Sequence, residues 1–184
     1  LIYTSGTSGR AKGVKLTRGN VDFMLPRTDE ALGAMLTLGS PAPAEERVFH
    51  YLPFCFAGSR VVLWTCLLRG ARLHVSTDLE NLAVELKRVD PHYLLNVPML
   101  LERMRTGVEK ALQDKPAVHW LHTRAQGQRR RDRLARAVAE RFVYPKVRQQ
   151  LGPSLRCLIC GSAPLAPETQ RWFQTLGIPV YQVY

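Results

Sequence analysis

Short apolar runs alternate with amphipathic stretches along the chain, and the punctuation between them is mostly glycine and proline. Residues 1–3 read as the inside of a strand, followed by a turn of Gly, Ser and Thr and a second short strand at 14–16. Thr17 or Asn20 can cap a helix that runs, disturbed by Pro26, to about Leu38. Residues 48–52 predict a strand stopped by Pro53. The run 61–68 fits a buried helix or strand ended by Gly70, and 71–75 follows as a strand. Thr77 with Glu80 three positions later has the spacing of a capping box. Leu79, Leu82, Leu86 and Val89 then share one helical face, closed by Asp90-Pro91. A strand is predicted at 92–97, and Pro98 opens a helix to about Leu112. Leu134, Val138 and Phe142, four apart, predict helix further on. A strand at 155–159, a helix from Pro167 to Leu176 capped by Gly177, and a last strand from Ile178 complete the series. This alternation predicts an α/β fold, a mostly parallel sheet with flanking helices. Both ends lie within strands, so the working unit is expected to be longer than 184 residues.

Composition changes little in that picture. Hydrophobic residues make up 46 % and charged residues 22 %, which excludes a disordered or fibrous chain. The apolar run 61–68 is far too short to cross a bilayer. Four cysteines suit a reducing, cytoplasmic setting better than a disulfide scaffold. The net charge of +11 is local, because 124–150 holds nine basic and two acidic residues. A basic helix there is either simply solvated or lies on an anionic membrane, giving peripheral association. Nucleic acid is not an expected partner: no stacking platform or recognition motif accompanies Arg129-Arg130-Arg131.

The strongest chemical signal is Tyr3-Thr4-Ser5-Gly6-Thr7-Ser8-Gly9-Arg10-Ala11-Lys12-Gly13. Its glycines let the backbone bend and bring N–H groups to an anion, its hydroxyls add donors, and Lys12 adds a positive charge. That combination suits a polyphosphate. It is not a Walker loop, since Lys12 precedes Gly13 and a strand rather than opening a helix. The segment resembles the phosphate loop of the adenylate-forming enzymes, Tyr-Thr-Ser-Gly-Thr-Thr-Gly-x-Pro-Lys-Gly, with Ser8 and Ala11 as the departures. The resemblance implies that Thr4 coordinates Mg²⁺, that Thr4, Ser5, Gly6, Thr7, Ser8, Gly9 and Lys12 hold ATP phosphates, and that Lys12 is catalytic.

Three more segments follow in the order that superfamily requires. Residues 52–60 resemble the long-chain acyl-CoA synthetase segment Leu-Pro-Leu-x-His-x-Phe-Glu-Arg, with Phe56 in place of His and Ser59 in place of Glu. The resemblance puts Phe56 and Gly58 beside an acyl pocket. Val97, Pro98 and Glu102 match a Val-Pro-Arg-x-x-Glu-Lys segment, read as architecture. Cys160-Gly161-Ser162-Ala163-Pro164-Leu165 resembles Ser-Gly-Gly-Ala-Pro-Leu, and the final Tyr184 would open a Tyr-Gly-x-Thr-Glu motif. By that likeness Gly161, Ser162, Ala163, Pro164, Gln182, Val183 and Tyr184 bind adenine and acyl-AMP.

The resemblance spans essentially the whole chain and implies that 1–184 is the central part of a large N-terminal AMP-binding domain, with the small C-terminal domain outside it. The implied activity is ATP- and Mg²⁺-dependent conversion of a long-chain fatty acid to acyl-AMP, then a thioester with coenzyme A. Two readings stay open beside it: a ligase that loads a carrier protein, and a non-catalytic nucleotide- or lipid-binding remnant. Cys157-x-x-Cys160 is set aside as a metal or redox pair, because residues three apart on a strand face opposite ways. His119-x-x-His122 lacks a third ligand, and Trp64, Trp120, Trp172 and Phe173 are expected to pack in the core.

Overall fold

The computed structural model describes residues 2–4, 12–125, 127 and 132–183. Strands β1 (Ile2–Thr4) and β2 (Lys12–Val14) pair antiparallel as a separate two-stranded sheet. The second strand begins earlier than the apolar run at 14–16 suggested, since Lys12 and Gly13 complete the register with Tyr3 and Thr4.

Helix α1 (Arg18–Thr37) opens on a reciprocal cap. The Thr17 hydroxyl accepts the Asn20 N–H at 3.2 Å, and the Asn20 side chain accepts the Thr17 N–H at 2.9 Å. Two orphan donors of the first turn are thereby satisfied. The chain then runs β3 (Arg47–His50), α2 (Ala57–Arg69), β4 (Arg72–Val75), α3 (Leu82–Val89) and β5 (Tyr93–Asn96). It continues through α4 (Pro98–Gln113), α5 (Pro116–Ala125), α6 (Asp132–Val138), a π-helical turn Ala139–Val143 and α7 (Tyr144–Leu151). Strand β6 (Cys157–Cys160), helix α8 (Pro167–Thr175) and β7 (Val180–Gln182) close the fold. The apolar run 61–68 is therefore helix, stopped at Gly70, whose φ of 64° ends the turn and whose N–H reaches back to the Cys66 and Leu67 carbonyls.

One local expectation fails for a physical reason, and one predicted helix carries an irregularity. Thr77 caps nothing: the Asp78 carboxylate takes the Glu80 and Asn81 N–H groups instead, and helix begins only at Leu82. Pro145 falls inside the basic helical stretch, where it lacks an N–H and crowds the carbonyl four residues back. The wider π-helical turn immediately before it absorbs that misfit.

Five parallel strands form the main sheet in the order β4-β3-β5-β6-β7. The inner strands β3, β5 and β6 bury both faces, whereas the edge strand β4 leaves Arg72 and Val75 exposed. On one side Phe49, Leu94, Leu158 and Val180 pack with Leu86, Leu101, Val147, Trp172 and Phe173 of α3, α4, α7 and α8. On the other, Val48, Tyr93, Leu95 and Cys157 pack with Leu32 and Leu36 of α1 and Val62 and Cys66 of α2. Cys157 and Cys160 belong to opposite layers, as a strand's alternation requires. Burial lifts their thiols to about 12 and about 11, so they are inert.

Polar clamps hold the amino edge of the sheet. Arg47 Nη2 meets Asp90 Oδ2 and Ser154 Oγ, both at 3.1 Å, and Ser154 N–H donates to Asp90 Oδ1 at 2.8 Å. Arg69 ties α2 to α1 and to the approach of β3 through Asp29 and Glu46. Removing one partner of such a half-buried network strands its charges.

Candidate functional site

The strand order fixes where a ligand site forms. The chain moves outward from β3 to β4 and returns across β3 to β5, so its direction reverses between β3 and β5. In open α/β sheets the loops diverge at such a switch point and leave a crevice beyond the carboxyl ends of the strands. The residues there are 51–56 after β3, Val97 and Pro98 after β5, 161–166 after β6, and Val183 after β7.

Hydrogen bonds donated by backbone N–H groups stitch these loops into one ledge. Val97 N–H donates to the Tyr51 hydroxyl at 3.4 Å, Gly161 N–H to the Asn96 carbonyl at 3.1 Å, and Val183 N–H to the Cys160 carbonyl at 2.8 Å. Gly161 suits a close approach: a Cβ there would sit 3.1 Å from Val183 Cγ2 and 3.4 Å from the Val183 carbonyl oxygen. Gln182 braces the same loop, accepting the Leu165 N–H at 3.1 Å and donating to Gln170 Oε1 at 3.1 Å. The structure thus brings Gly161, Ser162, Ala163, Pro164, Gln182 and Val183 together, and gives Gln182 a bracing role. Tyr184 lies outside the described residues.

Ser162 stands in left-handed backbone, with φ 71°. A side chain at such a position costs about 1–2 kcal/mol, of which glycine's extra unfolded entropy offsets part. Ser162→Gly is therefore expected to raise stability by about 0.5–1 kcal/mol. A higher denaturant midpoint at unchanged slope is the readout, and an unchanged midpoint would show the loop to be relaxed.

The loop after β3 carries Phe54, Cys55 and Phe56, all exposed, the last as N-cap of α2 without a side-chain cap bond. Gly58 sits where α2 meets the sheet, and a Cβ there would lie 2.9 Å from Leu95 Cδ2. Gly58 thus serves close helix–strand packing, whereas the Phe56 ring is 47 % exposed and open to a ligand. Inserting a side chain at such a contact typically costs about 1–3 kcal/mol. We expect Gly58→Leu to lower the melting temperature, and Phe56→Ala to leave it unchanged. Equal melting of the two variants would contradict that division.

Two buried polar residues at this edge escaped the sequence reading. His50, the last residue of β3, is fully buried and lies against the Phe54 ring at 5.1 Å between centroids. Among the described residues neither of its ring nitrogens has a hydrogen-bond partner, nor does Asn96 Oδ1 at the end of β5. Their signal was a polar residue ending an otherwise apolar strand.

At the hairpin, Thr4 and Lys12 are register partners, so the backbone brings together the two ends of the segment 5–11. Lys12 is exposed in β2. Ser5, Gly6, Thr7, Ser8 and Gly9 lie outside the described residues. The hairpin pairs with no strand of the main sheet among the described residues. Nor do three His, Cys, Asp or Glu side chains converge on a metal position among them. The Thr4 hydroxyl is a hard oxygen donor of the kind that Mg²⁺ takes together with phosphate oxygens and water.

Comparison with known proteins agrees with this geometry. Residues 1–184 match the family model described as AMP-binding enzyme. The chain is 32 % identical over 203 aligned residues to the long-chain-fatty-acid–CoA ligase ACSBG2 of Xenopus laevis, covering 100 % of this chain and 27 % of that protein. It therefore spans about a quarter of that relative's length. Among solved structures, the A-PCP didomain of carboxylic acid reductase from Segniliparus rugosus, in complex with AMP, superposes with a TM-score of 0.66 at 20 % identity, covering 100 % of this chain and 23 % of that one. O-succinylbenzoate coenzyme A synthetase from Bacillus subtilis, in complex with ATP and magnesium ion, gives 0.56 at 17 % identity over 97 % of this chain and 28 % of that one. The phosphate-loop sequence, the carboxyl-edge ledge and the family match along the whole length converge on one assignment: the chain belongs to the AMP-binding enzyme family, the adenylate-forming ligases.

Proposed function

We propose that the intact protein carrying this chain activates a long-chain fatty acid with ATP and transfers it to coenzyme A. The observation that carries this reading is the 32 % identity, along the whole chain, to a long-chain-fatty-acid–CoA ligase. The phosphate-loop sequence at its start and the ledge at the carboxyl edge agree with it. In this reading 1–184 is the central part of a larger nucleotide-binding domain.

The chemistry has two halves. The fatty-acid carboxylate attacks the α-phosphorus of ATP, the bond to the β-phosphate oxygen breaks, and acyl-AMP and pyrophosphate form. The coenzyme A thiolate then attacks the acyl carbon, and AMP departs with its phosphate oxygens. Both pyrophosphate and the pentacovalent transition state are highly anionic, so the first half needs positive charge and oriented N–H donors. Segment 4–12 supplies these, with Thr4, Ser5, Gly6, Thr7, Ser8 and Gly9 as hydroxyl and backbone donors and Lys12 as the cation. Magnesium would be held at Thr4 and the phosphates, where it supplies charge neutralisation. Gly161 to Pro164, Val183 and Tyr184 would form the floor beneath adenine and acyl-AMP, with Gln182 fixing the shape of that floor. Phe56 would border the acyl chain.

The direct test is fatty-acid-dependent pyrophosphate release by the intact protein across a saturated series, with product analysis for acyl-CoA. The expected result is turnover peaking among long chains and strictly requiring coenzyme A for product. Pyrophosphate release with an aromatic or short acid alone would refute the substrate. Accumulation of acyl-AMP that only a carrier protein discharges would refute the acceptor.

A further inference from the structure

The apolar stripe read from the sequence at Leu134, Val138 and Phe142 faces outward. These residues are 79 %, 43 % and 63 % exposed, while Ala139, Val143, Tyr144 and Val147 turn inward to the core. Three large apolar side chains at successive turns of an outer helix is an unusual use of surface, and such patches mark contact sites. One step back along the same helix run Arg133, Ala137 and Arg141, and Lys146 follows; all four are exposed. Arg141 lies 5.9 Å from the centroid of the Phe142 ring. Trp120 on neighbouring α5 is 60 % exposed, against the core position expected for it, with Arg124 at 5.7 Å from its ring. Among the described residues no carboxylate pairs with Arg133, Arg141 or Lys146.

We propose that this face of α6 and the π-helical turn docks on an anionic lipid bilayer. Apolar side chains flanked by unpaired cations are the two components that interfacial helices use. The ring and alkyl groups enter the acyl boundary, and guanidinium groups rest among the headgroup phosphates on their long stems. The segment 124–150 carries an excess of seven positive charges, which complements an anionic leaflet. The same charge argues against a second copy of this face as occupant, since the two would repel. Nucleic acid would use the cations and leave Leu134, Val138 and Phe142 facing water. No helix among the described residues is long and apolar enough to cross a membrane, so the contact is peripheral. Docking of this kind is independent of which acid is activated.

The test uses the intact protein and sedimentation with vesicles of phosphatidylcholine, alone or with phosphatidylserine. Binding is expected only with phosphatidylserine and should weaken as salt rises. The triple variant Arg133→Gln, Arg141→Gln, Lys146→Gln should lower partitioning on the order of 100-fold, from three lost charges at the surface. The double variant Leu134→Gln, Phe142→Gln should lower it at least about tenfold, with an unchanged melting temperature and unchanged pyrophosphate release from a soluble substrate. Vesicle binding that both variants retain would overturn the proposal. So would a lowered melting temperature in the double variant without loss of partitioning, which would mean that the rest of the protein covers this face. A shift from dimer to monomer with no change on vesicles would likewise assign the face to a second copy.

Discussion

Replacing Lys12 by alanine in the intact protein should cut acyl-AMP formation by roughly 10- to 100-fold while leaving the melting temperature in place, because a charge-assisted contact to phosphate contributes about 1.5–3 kcal/mol. The fold should tolerate the change for a stated reason. Lys12 is exposed in a two-stranded hairpin, and its structural part, the backbone pairing with Thr4, survives the loss of the side chain. Thr4→Ala should lower the same step by a smaller factor, since a neutral hydroxyl contributes about half as much as a charged donor. The measurement is pyrophosphate release at saturating fatty acid, with thermal melting alongside. The loss should appear in the first half-reaction alone. Thioester formation from supplied acyl-AMP would proceed normally, because pyrophosphate has already left. Wild-type kinetics in Lys12→Ala would return the segment 3–13 to an ordinary turn.

Much of the architecture was legible because two periods and a few stop signals carry it. Strands β5 and β6 are buried on both faces and read as short apolar runs. Proline at Pro98 and Pro167, and glycine at Gly70 and Gly177, marked helix starts and ends because each has a conformation other residues adopt only at a cost. Periodicity could not say which way a helix faces. Leu134, Val138 and Phe142 have the spacing of a core stripe, yet the π-helical turn and the packing of Ala139 and Val143 direct it to solvent. The limits of helix α5 were not legible, because His119, Trp120 and His122 give no regular apolar spacing; its buried residues are His122 and Ala125.

The site was legible as sequence wherever glycine, proline and hydroxyl residues must sit in fixed order, as in 3–13 and 160–165. What the sequence left open was the division of labour within it. Gln182 faces its own loop and braces it, and Gly58 makes room for Leu95. Those roles depend on which atoms meet across the sheet, a relation between distant residues that no local pattern encodes. His50 and Asn96 are in the same case: only the strand order brings them to the edge where the chain reverses.

Three buried histidines should make the fold acid-sensitive. His50, His92 and His122 are 0 %, 5 % and 4 % exposed, and each has its pKa lowered from 6.5. For His50 the cause is desolvation, which the Leu52 backbone, outside good hydrogen-bond geometry, offsets only in part. For His92 desolvation comes first, then the charges of Arg47 and Arg156, and its Nδ1 accepts the Arg47 N–H at 3.0 Å, a bond that protonation abolishes. For His122, wedged edge-on against Tyr144 and Trp172, desolvation again leads, with Glu109 opposing it. Because each group is harder to protonate folded than unfolded, the unfolded chain binds more protons between the lowered folded values and 6.5. Stability is then fully present above 6.5 and falls as pH drops below it, continuing down to the folded pKa values. Each proton contributes at most about 1.4 kcal/mol per pH unit, so the three together set a limiting slope of about 4 kcal/mol per unit. Asp78, whose pKa is lowered from 3.8 by Asn81, acts in a separate and more acid window. Denaturant unfolding at pH 7.5, 6.5 and 5.5 should show little change over the first step and a steep loss over the second. His50→Leu should flatten that loss by at most one proton, about 1.4 kcal/mol per unit, since leucine keeps the burial without the titration. A profile that stays level from 7.5 to 5.5, or a His50→Leu slope equal to that of the native protein, would show that these side chains take up protons without opening the fold.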